Sequence, residues 1–199
     1  CATKNLGKKI SFFDKRIKKN LPIITSVKKI NWSKLDLVFL SLPNGEAQKI
    51  IKKKYYKYKK ICFIDLSADF RITNPTVYLK NYKIKHKAKN LIKHSHYSIS
   101  EFSKKIINNY RIISNPGCYP TSIQLPLIPL IKKNLIDTRN IIIDSKSGFS
   151  GAGKNLNKKF THKNLFNSIF AYNPKNHRHI CEIDQEIHKL TKKKNKFHF

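Results

Sequence analysis

The sequence predicts an α/β fold built on a mostly parallel sheet, and three observations carry that prediction. Short apolar runs alternate with longer amphipathic ones, the rhythm of successive strand–helix units. Turn or loop residues follow the apolar runs where a strand would hand over to the next element, as in Pro43-Asn44-Gly45 and Ser67-Ala68-Asp69. At 199 residues the chain is long enough to bury a real core, as one large domain or two small ones.

Leu35–Leu42 is an apolar run and reads as a buried strand, with a helix from the Pro-Asn-Gly turn to about Lys54. Ile61–Leu66 reads as the next strand. Lysine-rich, weakly patterned sequence fills residues 80–109. Arg111–Ser114 is another strand, and it delivers Cys118 onto a helix. Pro126 and Pro129 interrupt that helix between Gln124 and Lys132, and an internal proline costs about 3 kcal/mol or kinks the axis. Asn140–Asp144 begins a second strand region that ends in a glycine loop, and Lys196-Phe197-His198-Phe199 alternates like an interrupted strand. The boundary between two domains is expected near Cys118, giving segments 1–117 and 118–199. There is no internal repeat.

The formal net charge is +31, which raises the question of a polyanionic partner. Only five of the 42 basic residues are arginine, and the lysines are spread along the chain with abundant Ile and Asn. Base readout leans on arginine and on localised patches, so a compositional drift is the preferred account of the charge. The concentrated tract Lys52-Lys53-Lys54-Tyr55-Tyr56-Lys57-Tyr58-Lys59-Lys60 suits either a single-strand binder or a solvated helix face leading into a strand. The four cysteines form no CxxC pair, which argues against a disulfide framework or zinc knuckle and for a reducing, cytoplasm-like compartment. No run of 18 apolar residues or signal-peptide pattern occurs, so a soluble, untargeted chain is expected. With no methionine, an opening at Cys1 and a close in an apolar alternation, the chain is expected to be a fragment of a longer polypeptide.

Four segments carry candidate chemistry. In Asn115-Pro116-Gly117-Cys118-Tyr119-Pro120-Thr121 a thiol stands at the start of a helix, where unpaired N–H groups and the helix dipole favour a thiolate. Gly117 allows a tight turn and close approach to a ligand, and Pro120 suits a first helical turn. A lone cysteine is also a common small core residue. Ser147-Gly148-Phe149-Ser150-Gly151-Ala152-Gly153-Lys154 holds three of the six glycines and could expose backbone N–H groups to a phosphate, or be an ordinary turn. Its spacing matches neither the Walker loop nor GxGxxG. His177-Arg178-His179 precedes a short helix with Ile183 and Ile187 at i, i+4. It reads as an acid/base pair with an anion-binding arginine, as a metal site of His177, His179 and Glu182, or as structure. Asp65-Leu66-Ser67-Ala68-Asp69-Phe70-Arg71 is a strand end, where ligands of open α/β sheets bind; an Asp69–Arg71 pair holding the loop is the alternative.

Taken together with Phe39-Leu40-Ser41-Leu42-Pro43-Asn44-Gly45 and Glu182-Ile183-Asp184-Gln185-Glu186, these segments resemble the N-acetyl-γ-glutamyl-phosphate reductases of arginine biosynthesis, in that family's order and at about its spacing. The resemblance implies a Rossmann-type parallel-sheet domain for NADPH/NADP+ and an α+β domain for catalysis and oligomer contacts, as in the semialdehyde dehydrogenases. It implies that Cys118 forms a thioester from N-acetyl-glutamyl phosphate, which hydride reduces to the semialdehyde. His179 or His177 would be the acid/base, with Arg178, Glu182 and Asn115 on the substrate. Pro43, Gly45, Ser67, Ser147, Gly148, Ser150, Gly151 and Gly153 would face the cofactor, with no metal and a homo-oligomer of two or four chains. The departures are the lack of the family's glycine-rich GxxGxxG turn and of its C-terminal portion, Asn44 in place of a usual His, and Ser98 and Ser103 around Glu101. A reductase for a sister acyl phosphate, a decayed reductase and a lysine-rich nucleic-acid-binding protein are the rival readings.

Overall fold

Four short parallel strands bring their carboxyl ends to one edge, and a cleft opens there. They are β1 (Leu37–Leu40), β2 (Cys62–Asp65), β3 (Ser95–Tyr97) and β4 (Ile112–Ser114), in the order β1-β2-β4-β3. The register sets Leu40 beside Asp65, Asp65 beside Ser114 and Tyr97 beside Ser114, so the last residues of all four strands stand in a row. The computed structural model describes residues 4–18, 21–148, 151, 169, 171, 177–192 and, by backbone alone, 197–198.

Parallel strands need cover on their faces; apolar residues supply it for β2 and β4, whereas β1, expected to be buried, leaves Leu37 and Phe39 exposed. Phe63 and Ile112 are fully buried beside Ile51 of helix α1 (Glu46–Lys54), with Trp32, Leu40, Ile61, Phe70 and Leu91 in the same core. Gly45 caps α1 at φ +91°, a left-handed conformation that glycine adopts without a Cβ penalty. Lys52, Lys53 and Lys54 occupy the last turn of α1, where cations complement the helix dipole. The lysine–tyrosine tract beyond it is held from within. Arg111 donates to the carbonyls of Tyr55, Tyr58 and Ile61 and stacks on the Tyr55 ring at 4.3 Å. Tyr55 and Tyr58 pack against the core while Tyr56 and most of the tract's lysines are exposed, which matches the solvated-face reading.

The weakly patterned stretch 80–109 contains real elements, and a helix runs into it from Pro75. Helix α2 (Pro75–Tyr82) has an ordinary start signal: Asn74 accepts from the amides of Thr76 and Val77, and Pro75 follows it. A 3₁₀ segment at Lys89–His94 leads into β3, and α3 (Ser100–Ser103) follows.

Helix α4 runs unbroken over Cys118–Lys132, through Pro126 and Pro129. The expected interruption does not occur. Both prolines lie on the exposed face of the helix, as does Ser122, so water can reach the carbonyl whose partner Pro126 removes. Helix α5 (Ile180–Thr191) packs on α4, and Ile183 and Ile187 join Tyr119, Ile123 and Ile131 in a second core. Strand β5 (Ile141–Ile142) pairs in parallel with β6 (Phe197–His198), so these two residues of the terminal alternation form a strand. Among the described residues no helix is long and apolar enough to cross a membrane.

Candidate active site

A cleft of about 490 Å³ opens where the carboxyl ends of β1, β2 and β4 meet the start of α5. Two buried carboxylates build its β1–β2 wall. Asp65 is fully buried and accepts from the Ser67 amide at 2.9 Å, the Ser67 hydroxyl at 2.7 Å and the Phe70 amide at 3.2 Å. Burial nevertheless pushes its pKa up to about 6, with the neighbouring Asp69 charge contributing. Asp69 reaches across to the first turn of α1, accepting from the Gly45 amide at 2.6 Å, the Gln48 amide at 3.0 Å and the Tyr78 hydroxyl at 2.6 Å. Asn44 closes the same seam by accepting from the Ala68 amide. The Asp69–Arg71 pair considered from sequence does not form, because Asp69 bonds to these other donors.

The cysteine turn follows β4. Gly117 caps α4 with extended backbone and donates its N–H to Glu182 at 3.1 Å; Cys118 is the first helical residue and its side chain is exposed. At Gly117 glycine is required by close approach. A Cβ there would lie 2.8 Å from His179 Nε2 and 3.0 Å from a terminal nitrogen of Arg71. The loop before α5 thus brings an imidazole, and the loop after β2 a guanidinium, directly against the residue preceding the thiol.

His179 and His177 play different parts. Both are buried, but His179 lines the cleft and His177 does not. Burial, with the charges of His177, Arg71 and Arg178 adding, pushes the His179 pKa down to about 3, so its ring is neutral near pH 7. His179 Nδ1 is buried without a hydrogen-bond partner. His177 stands behind it, its ring edge-on to that of His179 at 4.9 Å and its Nδ1 accepting from the His179 amide at 3.3 Å.

Arg178 is exposed on the cleft wall. Arg71, not anticipated as a cleft residue, also lines it, and its guanidinium is pinned by Asn115 O at 2.8 Å, Leu66 O at 3.0 Å and Glu182 at 3.1 Å. Glu182 corrects an expectation. Its carboxylate is fully buried and accepts from Arg71, from the Tyr82 and Tyr97 hydroxyls and from the Gly117 amide, so it stands behind the cleft wall and does not face a substrate. Asn115 likewise presents no side chain to the cleft: it donates to the carbonyl of Pro116.

Of the residues expected at the cofactor, Pro43 and Ser67 line the cleft. Gly45 does not, and its amide is spent on Asp69. Ser147 and Gly148 are exposed and lie outside the cleft lining, while the Gly151 amide bonds back to Gly148 as in a turn. Ser150 and Gly153 fall outside the described residues. Leu42, Pro43, Leu66 and Ala68 form a largely apolar wall beside Asn44, at the strand ends where a parallel sheet takes a nucleotide.

Comparison with known proteins agrees with this architecture. The domain family described as semialdehyde dehydrogenase, NAD binding domain, matches residues 1–110, and semialdehyde dehydrogenase, dimerisation domain, matches residues 118–199. A probable N-acetyl-gamma-glutamyl-phosphate reductase, chloroplastic, of Oryza sativa subsp. japonica is 42% identical over 184 residues, 92% of this chain and 44% of that protein. The N-acetyl-gamma-glutamyl-phosphate reductase of Alkaliphilus metalliredigens is 47% identical over 153 residues, covering 77% and 44%. That of Ehrlichia canis is 41% identical over 189 residues, covering 94% and 54%. The chain spans about half the length of the curated relatives it matches.

Proposed function

Because the chain belongs to the semialdehyde dehydrogenase family, we propose that it acts in the NADPH-dependent reduction of N-acetyl-L-glutamyl 5-phosphate to N-acetyl-L-glutamate 5-semialdehyde, a step of arginine biosynthesis. One observation carries the reading. An exposed thiol at the first residue of α4 shares a cleft with a neutral imidazole and two guanidinium groups.

Cys118 sulfur attacks the acyl carbon, the carbon–oxygen bond to phosphate breaks, and phosphate leaves with the electron pair, giving a thioester. His179 lines the same cleft and is the group that would exchange a proton with the thiol and with the oxygen of the tetrahedral sulfur adduct. His177 supports that ring from behind. Arg178 and the cleft-facing side of Arg71 suit the phosphate and carboxylate groups of the substrate. Leu42–Asn44 and Leu66–Ala68 would hold NADPH, which when bound supplies the hydride that reduces the thioester. The relatives' names favour the glutamyl substrate over the aspartyl or aminoadipyl one. The match of residues 118–199 to a dimerisation domain supports a homodimer.

The test is consumption of NADPH by the protein with N-acetyl-glutamyl phosphate, run against aspartyl and N-acetyl-aminoadipyl phosphates. Turnover that prefers the glutamyl substrate and vanishes in Cys118→Ala is the expected result. Turnover unaffected by Cys118→Ala contradicts the reading.

A further inference from the structure

The buried carboxylate behind the cleft is placed to do more than fill space. Glu182 lies on α5, yet its donors come from four other elements: Arg71 after β2, Tyr82 at the end of α2, Tyr97 at the end of β3 and Gly117 at the cap of α4. Three of these are constrained independently. Tyr97 accepts from Gln124 at 3.0 Å, which turns its own hydrogen toward Glu182. Arg71 is held in plane by the carbonyls of Asn115 and Leu66. Gly117 has no room for a side chain between His179 and Arg71. One turn along α5, Gln185 takes a second grip on the same strand-end loop. It accepts from the Thr73 amide and hydroxyl at 2.8 and 2.9 Å and donates to the Arg71 carbonyl at 3.0 Å.

Glu182 and Gln185 therefore fasten α5 to the loop that carries Arg71, and Glu182 also fastens the turn that carries Cys118. The chemistry of the contact matters as well as its geometry. Arg71 is a buried cation at the edge of the cleft, and Glu182 is the carboxylate that pairs with it, with 3.1 Å between charged atoms. A buried cation without such a partner would be costly and would present its charge to whatever enters the cleft.

We propose that Glu182 is a positioning residue: its carboxylate aims and neutralises Arg71 and holds the Gly117 amide, so that the Cys118 turn and the cation beside it keep one geometry and one net charge. The inference rests on Cys118 being the reactive group of the cleft, but not on the identity of the acyl phosphate.

The experiment compares alkylation of Cys118 by iodoacetate, an anion, with alkylation by neutral iodoacetamide, so that the ratio of the two rates reads the charge at the thiol. In Glu182→Gln the unpaired Arg71 raises that ratio about 3- to 10-fold over the parent. Arg71→Gln, which leaves the Glu182 charge unpaired, lowers it, and Glu182→Asp keeps it within about 2-fold. Tyr97→Phe removes a hydrogen bond to the same carboxylate without changing charge, and keeps the parent ratio. A ratio that does not move in Glu182→Gln, or that moves the same way in Glu182→Gln and Arg71→Gln, overturns the proposal, because a purely packing role predicts it. Should Glu182→Gln fail to fold, the double variant Glu182→Gln/Arg71→Gln, in which neither charge remains, is expected to restore the parent ratio, and a ratio that stays at the Arg71→Gln value overturns the proposal. Failure of the underlying reading shows separately: Cys118 of the parent would then react with both reagents no faster than Cys62 and Cys181.

Discussion

Two loops at the same edge of the sheet spend their polar groups in opposite ways. After β2, the carboxylates of Asp65 and Asp69 accept from three amide or hydroxyl donors each, and both are fully buried. After β4, the thiol of Cys118 is exposed and Gly117 is squeezed between an imidazole and a guanidinium, while Ser114 Oγ at the end of β4 and Nδ1 of His179, from the loop before α5, are buried without hydrogen-bond partners. Buried polar groups are normally satisfied, so a cluster of unsatisfied ones beside an exposed thiol marks where the fold holds capacity for chemistry. The two carboxylates after β2 are scaffold, and in the proposed function the turn after β4 carries the reacting thiol.

Substitutions on the two sides should therefore separate activity from stability. The largest effect is expected at the turn: Cys118→Ser lowers reductase turnover by about 1,000-fold or more while leaving the urea midpoint unchanged, because an exposed side chain contributes little packing. A stability loss as large as the activity loss would erase the distinction. On the scaffold side, Asp69→Ala strands three donors and is expected to cost about 3 kcal/mol in urea unfolding. Gly117→Ala comes next. The added methyl meets His179 and Arg71, and turnover falls about 10- to 100-fold with at most about 1 kcal/mol of stability lost.

The smallest effect is a pH dependence, and its sign follows from which state holds the proton. His179 titrates near 3 in the fold against 6.5 ordinarily, so the unfolded chain takes up the proton first; this contribution is full above about pH 6.5 and is lost as pH falls toward 3. His86, His96 and His177 are lowered too, chiefly by burial, and act in the same direction. Asp65, raised from 3.8 to about 6, opposes them: its contribution is present below about pH 4 and is lost as pH rises through 6. Acidification from pH 7 to 5 should cost roughly 1 kcal/mol overall, and less in His179→Gln. A protein stabilised over that interval would show that the buried ring does not stay neutral.

Much of this contrast is legible in the sequence, though unevenly. β1, β2 and β4 announce themselves because each is a mostly apolar run that ends in turn or loop residues, and the helix start at Cys118 follows from its position after β4. β3 and α2 lie among scattered lysines that carry no periodicity, although the Asn74-Pro75 start signal was there to be read. Cys118, His179 and Arg178 do meet in the cleft. Glu182 illustrates the limit. A glutamate three residues after a cleft histidine looks like a ligand for substrate, and only the fold shows its carboxylate turned inward to donors from four other elements. Arg71 was hidden for the mirror reason: its nearest acid in sequence, Asp69, is not the one it pairs with.

Acyl transfer to the thiol tests the central claim most directly, because it needs neither NADPH nor a second turnover. The protein is mixed with N-acetyl-glutamyl phosphate alone, released phosphate is counted, and the acylated residue is mapped by mass spectrometry. A burst of about one phosphate per chain, with the acyl group on Cys118 and absent from Cys62 and Cys181, is the predicted result. No burst, or acylation spread over all four thiols, would contradict it.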